Sequence, residues 1–198
     1  MDTETIFSPP VKRVRPKPGE RRVQILNELA QMLEAPGAER VTTAALAARL
    51  AVSEAALYRH FASKAQMFEA LIDFVENSVF DLIAKASEHE AGGSARASRI
   101  VTTVLEFGEK NRGMSRVMVG DALVFEHERL QQRMNQLFDK FETALRQSLS
   151  EASNEADAQV TASMLTSFVI GRLQRFARSG FRRSPSEMLN ACLTRVLP

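Results

Sequence analysis

From Arg21 onward, apolar residues recur at three- and four-residue intervals, and no segment alternates with a period of two. That spacing aligns side chains along one stripe of a helix, whereas a half-buried strand needs strict alternation. The cleanest example is 127–150, with Leu130, Met134, Leu137, Phe138, Phe141, Leu145 and Leu149. Residues 156–179 follow suit with Val160, Met164, Leu165, Phe168, Val169, Leu173 and Phe176. The expected fold is therefore all-α, with about nine helices.

Start and stop signals divide the pattern. A first helix carrying Ile25, Leu26, Leu29, Met32 and Leu33 should end before Pro36-Gly37. Two short helices fit 43–50 and 54–60. Ser63-Lys-Ala-Gln66 reads as a capping box opening a helix to about residue 88. Ala91-Gly-Gly93 is a break, and helices near 95–110 and 113–124 follow. Gly180 suits the residue just past a helix end, and Ser184-Pro-Ser-Glu187 predicts a last helix to about 197.

The 198 residues suit a small domain joined to a larger one. Net charge is only +2, but its distribution is uneven. From Val11 to Lys64 there are ten basic residues against five acidic ones, so the N-terminal part is the side that would face a polyanion. Residues 1–18 contain Pro9, Pro10, Pro16 and Pro18 among Lys and Arg. They are expected to form a flexible basic arm, with a solvated tail of no function as the alternative. No run approaches the roughly 18 apolar residues a membrane helix requires, and the first ten residues lack a secretory pattern. A single cysteine, Cys192, suits a packing role in a reducing cytoplasm.

The stretch 42–64 carries the chemistry. Leu46, Ala47, Leu50, Val52, Leu57 and Phe61 would lock two short helices onto the first. A three-residue link ending at Ser53 joins them, the geometry by which one helix enters a major groove while its neighbour braces the backbone. Outward-facing candidates are Thr42 and Thr43 for phosphate, then Ser53, Glu54 and Ala55 near base edges. Tyr58, Arg59 and His60 follow, and Lys64 adds charge at the next helix N-terminus. Tyr58 as a half-buried amphipathic residue and His60 as a plain surface histidine are the alternatives. His60, His89 and His127 are scattered and no glycine-rich phosphate loop follows a strand, so neither an enzyme, a metal site nor a cofactor is expected.

The string Val52-Ser53 followed by Leu57-Tyr-Arg-His-Phe61-Ala-Ser-Lys64 resembles the signature of TetR-family regulators. The resemblance implies an N-terminal three-helix DNA-binding domain, here 19–65, and a helical dimerisation and partner-binding domain, 66–198. It also implies a homodimer on palindromic double-stranded DNA, with Thr43, Ser53, Tyr58, His60 and Lys64 as contacts. Ala51 departs from the glycine common at this turn. Four runs, Val52–Phe61, Phe107–Asn111, Ala122–Glu126 and Arg129–Phe138, are similar to SlmA-type nucleoid occlusion factors. That branch implies a nucleoid-associated cytoplasmic protein that disrupts assembly of the tubulin-like division GTPase FtsZ when bound to DNA.

For FtsZ, the resemblance points to Phe74, Lys110 and Asn111, with Phe74 equally suited to a core role. Leu82 stands where a basic residue would be expected. A ligand-responsive repressor of the same fold is the alternative function, although the body lacks tryptophan and tyrosine. The arginines at 172, 175, 178, 182 and 183 read as a solvated or ion-paired face, or as an anionic partner's site. Helices 127–150 and 156–179 could form the dimer seam, with Gly171 allowing close approach, or be spent on the monomer core.

Overall fold

The computed structural model describes residues 19–35, 41–90, 92–151 and 154–197. The expected arm, 1–18, and the Pro36-Gly37 stop lie outside the described residues. Nine α-helices are seen among the described residues, and no strand. They are α1 Glu20–Glu34, α2 Thr43–Arg49, α3 Glu54–Tyr58, α4 Lys64–Ser87, α5 Gly93–Lys110, α6 Arg112–Met118, α7 Glu128–Leu149, α8 Glu155–Arg178 and α9 Leu189–Val196. A 3-10 turn, Asp121–Leu123, follows α6, so the expected 113–124 helix is split.

Local signals explain most boundaries. The Ser63 side chain accepts from the Gln66 amide at 3.2 Å, while the Gln66 carboxamide accepts from the Ala62 amide at 2.9 Å. The reciprocal arm of the capping box thus reaches one residue further back than expected, and still ties down the entry to α4. At the end of α8, Gly180 has φ +64°, and the amides of Gly180 and Phe181 donate to the carbonyls of Ala177 and Phe176. That is the Schellman arrangement, closed by an edge-on contact of the Phe176 and Phe181 rings at 5.1 Å.

One boundary differs. Ser184-Pro-Ser-Glu187 opens no helix: the Ser184 hydroxyl accepts from the Ser186 amide two residues on, and Met188 adopts φ +52° before α9 begins at Leu189. Tertiary bonds hold the segment as turns. The Ser186 hydroxyl donates to Glu109 on α5, and the Arg172 guanidinium donates to the Glu187 carbonyl at 2.8 Å. Pro185 is buried. These contacts outweigh a local preference worth about 1 kcal/mol.

The core is continuous from α1 to α9. α5 lies against α4, α7 and α8, and α7 pairs with α8. The whole α7 stripe, Leu130 through Leu149, is buried within the monomer. The α7 stripe is therefore spent on the monomer core. α8 is apolar on two sides: Ala158, Ala162, Leu165, Val169 and Leu173 face the core, while Val160 and Met164 are exposed.

The N-terminal helices are fastened to this body. α1 packs along α6. The approach is so close that a Cβ on Gly113 would stand 1.8 Å from the Ala30 carbonyl oxygen. The Arg116 guanidinium reaches back to the Ala35 carbonyl at 3.3 Å, taking up an acceptor at the end of α1. On the other side, acids of α4 meet bases of α7 in ascending order: Glu69 with Arg129, Asp73 and Glu76 with Arg133, and Glu76 with Lys140. The order shows that these two helices run parallel.

Glu76 is the buried member of that ladder. Burial pushes its carboxyl up, but the hydrogen bonds and charges of Lys140 and Arg133 outweigh burial and hold it below the ordinary carboxylate value.

Candidate nucleic-acid interface

Each short helix of the α2–α3 pair, the candidate DNA reader, is built by its caps, because five to seven residues are too few to be stable alone. Thr42 caps α2, its hydroxyl accepting from the Ala45 amide at 3.2 Å. Ser53 caps α3, accepting from the Ala56 amide at 3.3 Å. Between them, the Ala51 amide donates to Ala48 and the Val52 amide to Ala47. This second Schellman closure needs a left-handed residue at position 51, and Ala51 occupies it at φ +51°. The strain expected if alanine stood there is present, at about 1 kcal/mol.

Leu46, Ala47, Leu57 and Phe61 are buried, as the inward pattern requires. Arg22 on α1 adds a clamp that local sequence does not reveal. Its guanidinium donates to the His60 carbonyl and lies 4.1 Å from the Phe61 ring centroid. α3 proper stops at Tyr58, with Arg59 and His60 in the following turn rather than in the helix. The clamp occupies the carbonyl that a further turn would use.

On the outer side, three of the candidates form one chain of hydrogen bonds. The Thr43 hydroxyl donates to the Glu54 carboxylate at 2.6 Å, and the Tyr58 hydroxyl lies 3.5 Å from the Thr43 oxygen. The chain links the start of α2 to both ends of α3 and orients the Tyr58 phenol, which is 44% exposed. Thr42, Ser53, Ala55 and Arg59 are exposed nearby in sequence, and His60 is half-buried.

Lys64 differs from the rest. It is the first residue of α4, and its ammonium is ion-paired with Glu126 in the loop before α7. In the sequence Glu126 stands out only as the end of the run Ala122–Glu126. No local spacing could have found the pair, because its members stand 62 residues apart.

The candidates for a protein partner lie on α4 and α5, which pack together. Phe74 is 40% exposed, so the core alternative does not hold. Lys110 is exposed and pairs only loosely with Glu106 at 3.5 Å. Asn111 also caps the end of α5, where its side-chain amide donates to the Phe107 carbonyl. Leu82 is exposed as well. The arginine cluster divides. Arg172 is spent on the Glu187 carbonyl, the Cys192 sulfur and the Phe168 ring, whereas Arg175 and Arg178 are exposed.

Known proteins place this geometry. Residues 25–71 match the model of the bacterial regulatory proteins of the tetR family, and residues 93–196 match the SlmA-like model of the tetracyclin repressor-like C-terminal domain. The nucleoid occlusion factor SlmA of Photobacterium profundum is 47% identical over 178 residues, 86% of this chain and 91% of that protein. SlmA of Alteromonas mediterranea is 45% identical over 180 residues, covering 88% and 92%. SlmA of Cronobacter sakazakii is 48% identical over 173 residues, covering 84% and 87%.

Among solved structures, FadR from Bacillus subtilis in complex with stearoyl-CoA superposes with a TM-score of 0.76 at 12% identity, over 88% of this chain and 97% of FadR. AibR in complex with isovaleryl coenzyme A and operator DNA gives 0.72 at 17%, over 90% and 98%. At those identities the likeness concerns the fold alone. With reader, body and near-full-length relatives in agreement, the chain belongs to the SlmA nucleoid occlusion factors of the TetR family.

Proposed function

We propose that this chain binds palindromic DNA as a homodimer and, on DNA, opposes FtsZ assembly over the chromosome. The observation that carries the reading is the capped α2–α3 pair with its Thr43–Glu54–Tyr58 chain, held on an all-helical body of SlmA type. Tyr58, Arg59, His60 and Lys64 supply phosphate donors, while Ser53, Glu54 and Ala55 stand at the end of α3 that approaches bases. The same reading places the protein on the nucleoid in the cytoplasm. Among the described residues no helix is long and apolar enough to cross a membrane.

The outer face of α8 and α9 supports the dimer. Val160, Met164, Phe168, Leu193 and Val196 line an apolar cleft of about 700 Å³ there, and a Cβ on Gly171 would meet nothing within 4 Å. A second copy would bury this face in a four-helix packing across a two-fold axis. Phe74, Lys110 and Asn111 supply the apolar-plus-polar surface for FtsZ.

Sedimentation of FtsZ polymers with GTP tests the reading. Cognate DNA together with this protein should reduce the pelleted polymer, and protein without DNA should do so far less. Polymer yield and length that ignore DNA would reject division control and leave the ligand-responsive repressor, for which small molecules should release the operator.

A further inference from the structure

We propose that Glu126 is an internal competitor for the Lys64 ammonium, and that DNA binding displaces it and loosens the loop 121–127. The inference rests on the proposed DNA-binding role of Lys64 and deepens it by naming what holds that lysine before DNA arrives.

Lys64 opens α4, where exposed helix amides favour an anion. Its ammonium already holds an anion: the Glu126 carboxylate, its side chain only 8% exposed against 28% for Lys64. The ammonium is further confined 5.7 Å from the Phe68 ring centroid. A DNA phosphate approaching the same helix end meets a cation already neutralised. If Lys64 turns to the phosphate, a nearly buried carboxylate loses its cation, and two like charges are brought together. Relief comes when Glu126 moves out into water.

The loop that carries Glu126 is built to yield. It runs from the 3-10 turn Asp121–Leu123 to the start of α7 and follows Gly120 at φ +83°. Two backbone bonds fold it over, from the Leu123 amide to the Gly120 carbonyl at 2.9 Å and from the Glu126 amide to the Leu123 carbonyl at 3.0 Å. Its start is anchored by Ala122 and Leu123 in the core, but the two apolar side chains next to Glu126, Val124 and Phe125, are 70% and 63% exposed, so little packing holds that half of the loop. Occupancy of the reader is thereby felt at an apolar surface of the body, through one ion pair.

The test compares DNA affinity across salt concentrations, on a palindromic and a random duplex, using the full chain. Glu126→Gln should bind both about three- to tenfold more tightly, the range a partly exposed ion pair supplies. Both duplexes respond because phosphate contacts carry no sequence information. In a Lys64→Ala background the gain should vanish. Glu128→Gln controls for loss of a nearby negative charge, and whatever it gains should be the same with or without Lys64.

Hydrogen exchange gives a second readout in the unmutated protein. Amides of 121–127 should exchange faster on DNA, and Lys64→Ala should abolish the change. Should Glu126→Gln fold poorly, Glu126→Asp, which retracts the carboxylate, should give a smaller gain of the same sign. A silent Glu126→Gln, a gain that persists without Lys64, or a loop indifferent to DNA each overturns the inference. Unmutated protein with no salt-dependent DNA affinity would instead overturn the DNA-binding reading, and this inference with it.

Discussion

The reader and the α4–α7 seam solve the same problem, fixing helices in place, by opposite means. In the reader, α2 and α3 are short, and each is held by hydroxyl caps three residues from the amides they satisfy. Along the seam, two helices of 24 and 22 residues are joined by ion pairs whose members lie 57 to 64 residues apart. Outward polar groups in the reader are held among themselves on an open surface, as in the Thr43–Glu54–Tyr58 chain. Charges along the seam are spent on each other. A mutation in the reader should therefore appear mostly in binding, and one in the body mostly in stability.

The largest expected effect lies where the two regions are joined. Gly113→Ala drives a methyl into the Ala30 carbonyl, and neither α1 nor α6 backbone can yield cheaply. A loss of about 3 kcal/mol or more is expected, read as a drop in melting temperature, with DNA binding lost only through unfolding. A variant that melts like the unmutated protein would show that α1 and α6 are not rigidly docked.

Next comes Glu76→Ala, which leaves Arg133 and Lys140 without their shared acceptor. Both bases are partly exposed, so the cost is discounted to about 2 kcal/mol. The pH dependence follows from the lowered folded-state value. Stabilisation by Glu76 is fully present above its unfolded value, about 4.3. It is lost as pH falls through the lower folded value. Melting curves should show Glu76→Ala and the unmutated protein far apart at neutral pH and converging in acid. Operator affinity of the folded variant should be unchanged, which sharpens the contrast with the reader.

In the reader, Tyr58→Ala should weaken binding to all sequences by about tenfold, roughly 1.4 kcal/mol, with little change in the salt slope, because a neutral phenol releases no counterion. Its melting temperature should move little, because the ring is 44% exposed and its hydroxyl meets the Thr43 oxygen only at 3.5 Å. Unchanged affinity in Tyr58→Ala combined with His60→Ala, with the dimer intact, would dismantle this placement of the contacts.

Smallest is Ala51→Gly. Relief of the left-handed strain should raise stability by at most about 1 kcal/mol, part of it returned as chain entropy. Matching melting curves and affinities would mean that the turn carries no strain worth removing.

Much of this molecule follows from its sequence, and one physical reason covers what does. Helix periodicity and caps act within about four residues, so Thr42, Ser53, Ser63 and Gly180 could be read directly as starts and stops, and α7 emerged almost residue for residue. The resemblance in the reader told which residue types should face DNA. What only tertiary structure decided involves partners far along the chain. Contacts with Glu109 and Arg172 overrule the cap at Ser184. The apolar stripe of α7 is buried whole while α8 keeps an open apolar side, although both carry apolar stripes in sequence. Phe74 is turned outward, and Lys64 is matched with Glu126. A stripe says that a face will be covered and a charge says that it will find a partner, but neither names which. That choice is made only when distant segments compete for the same space and the same charges.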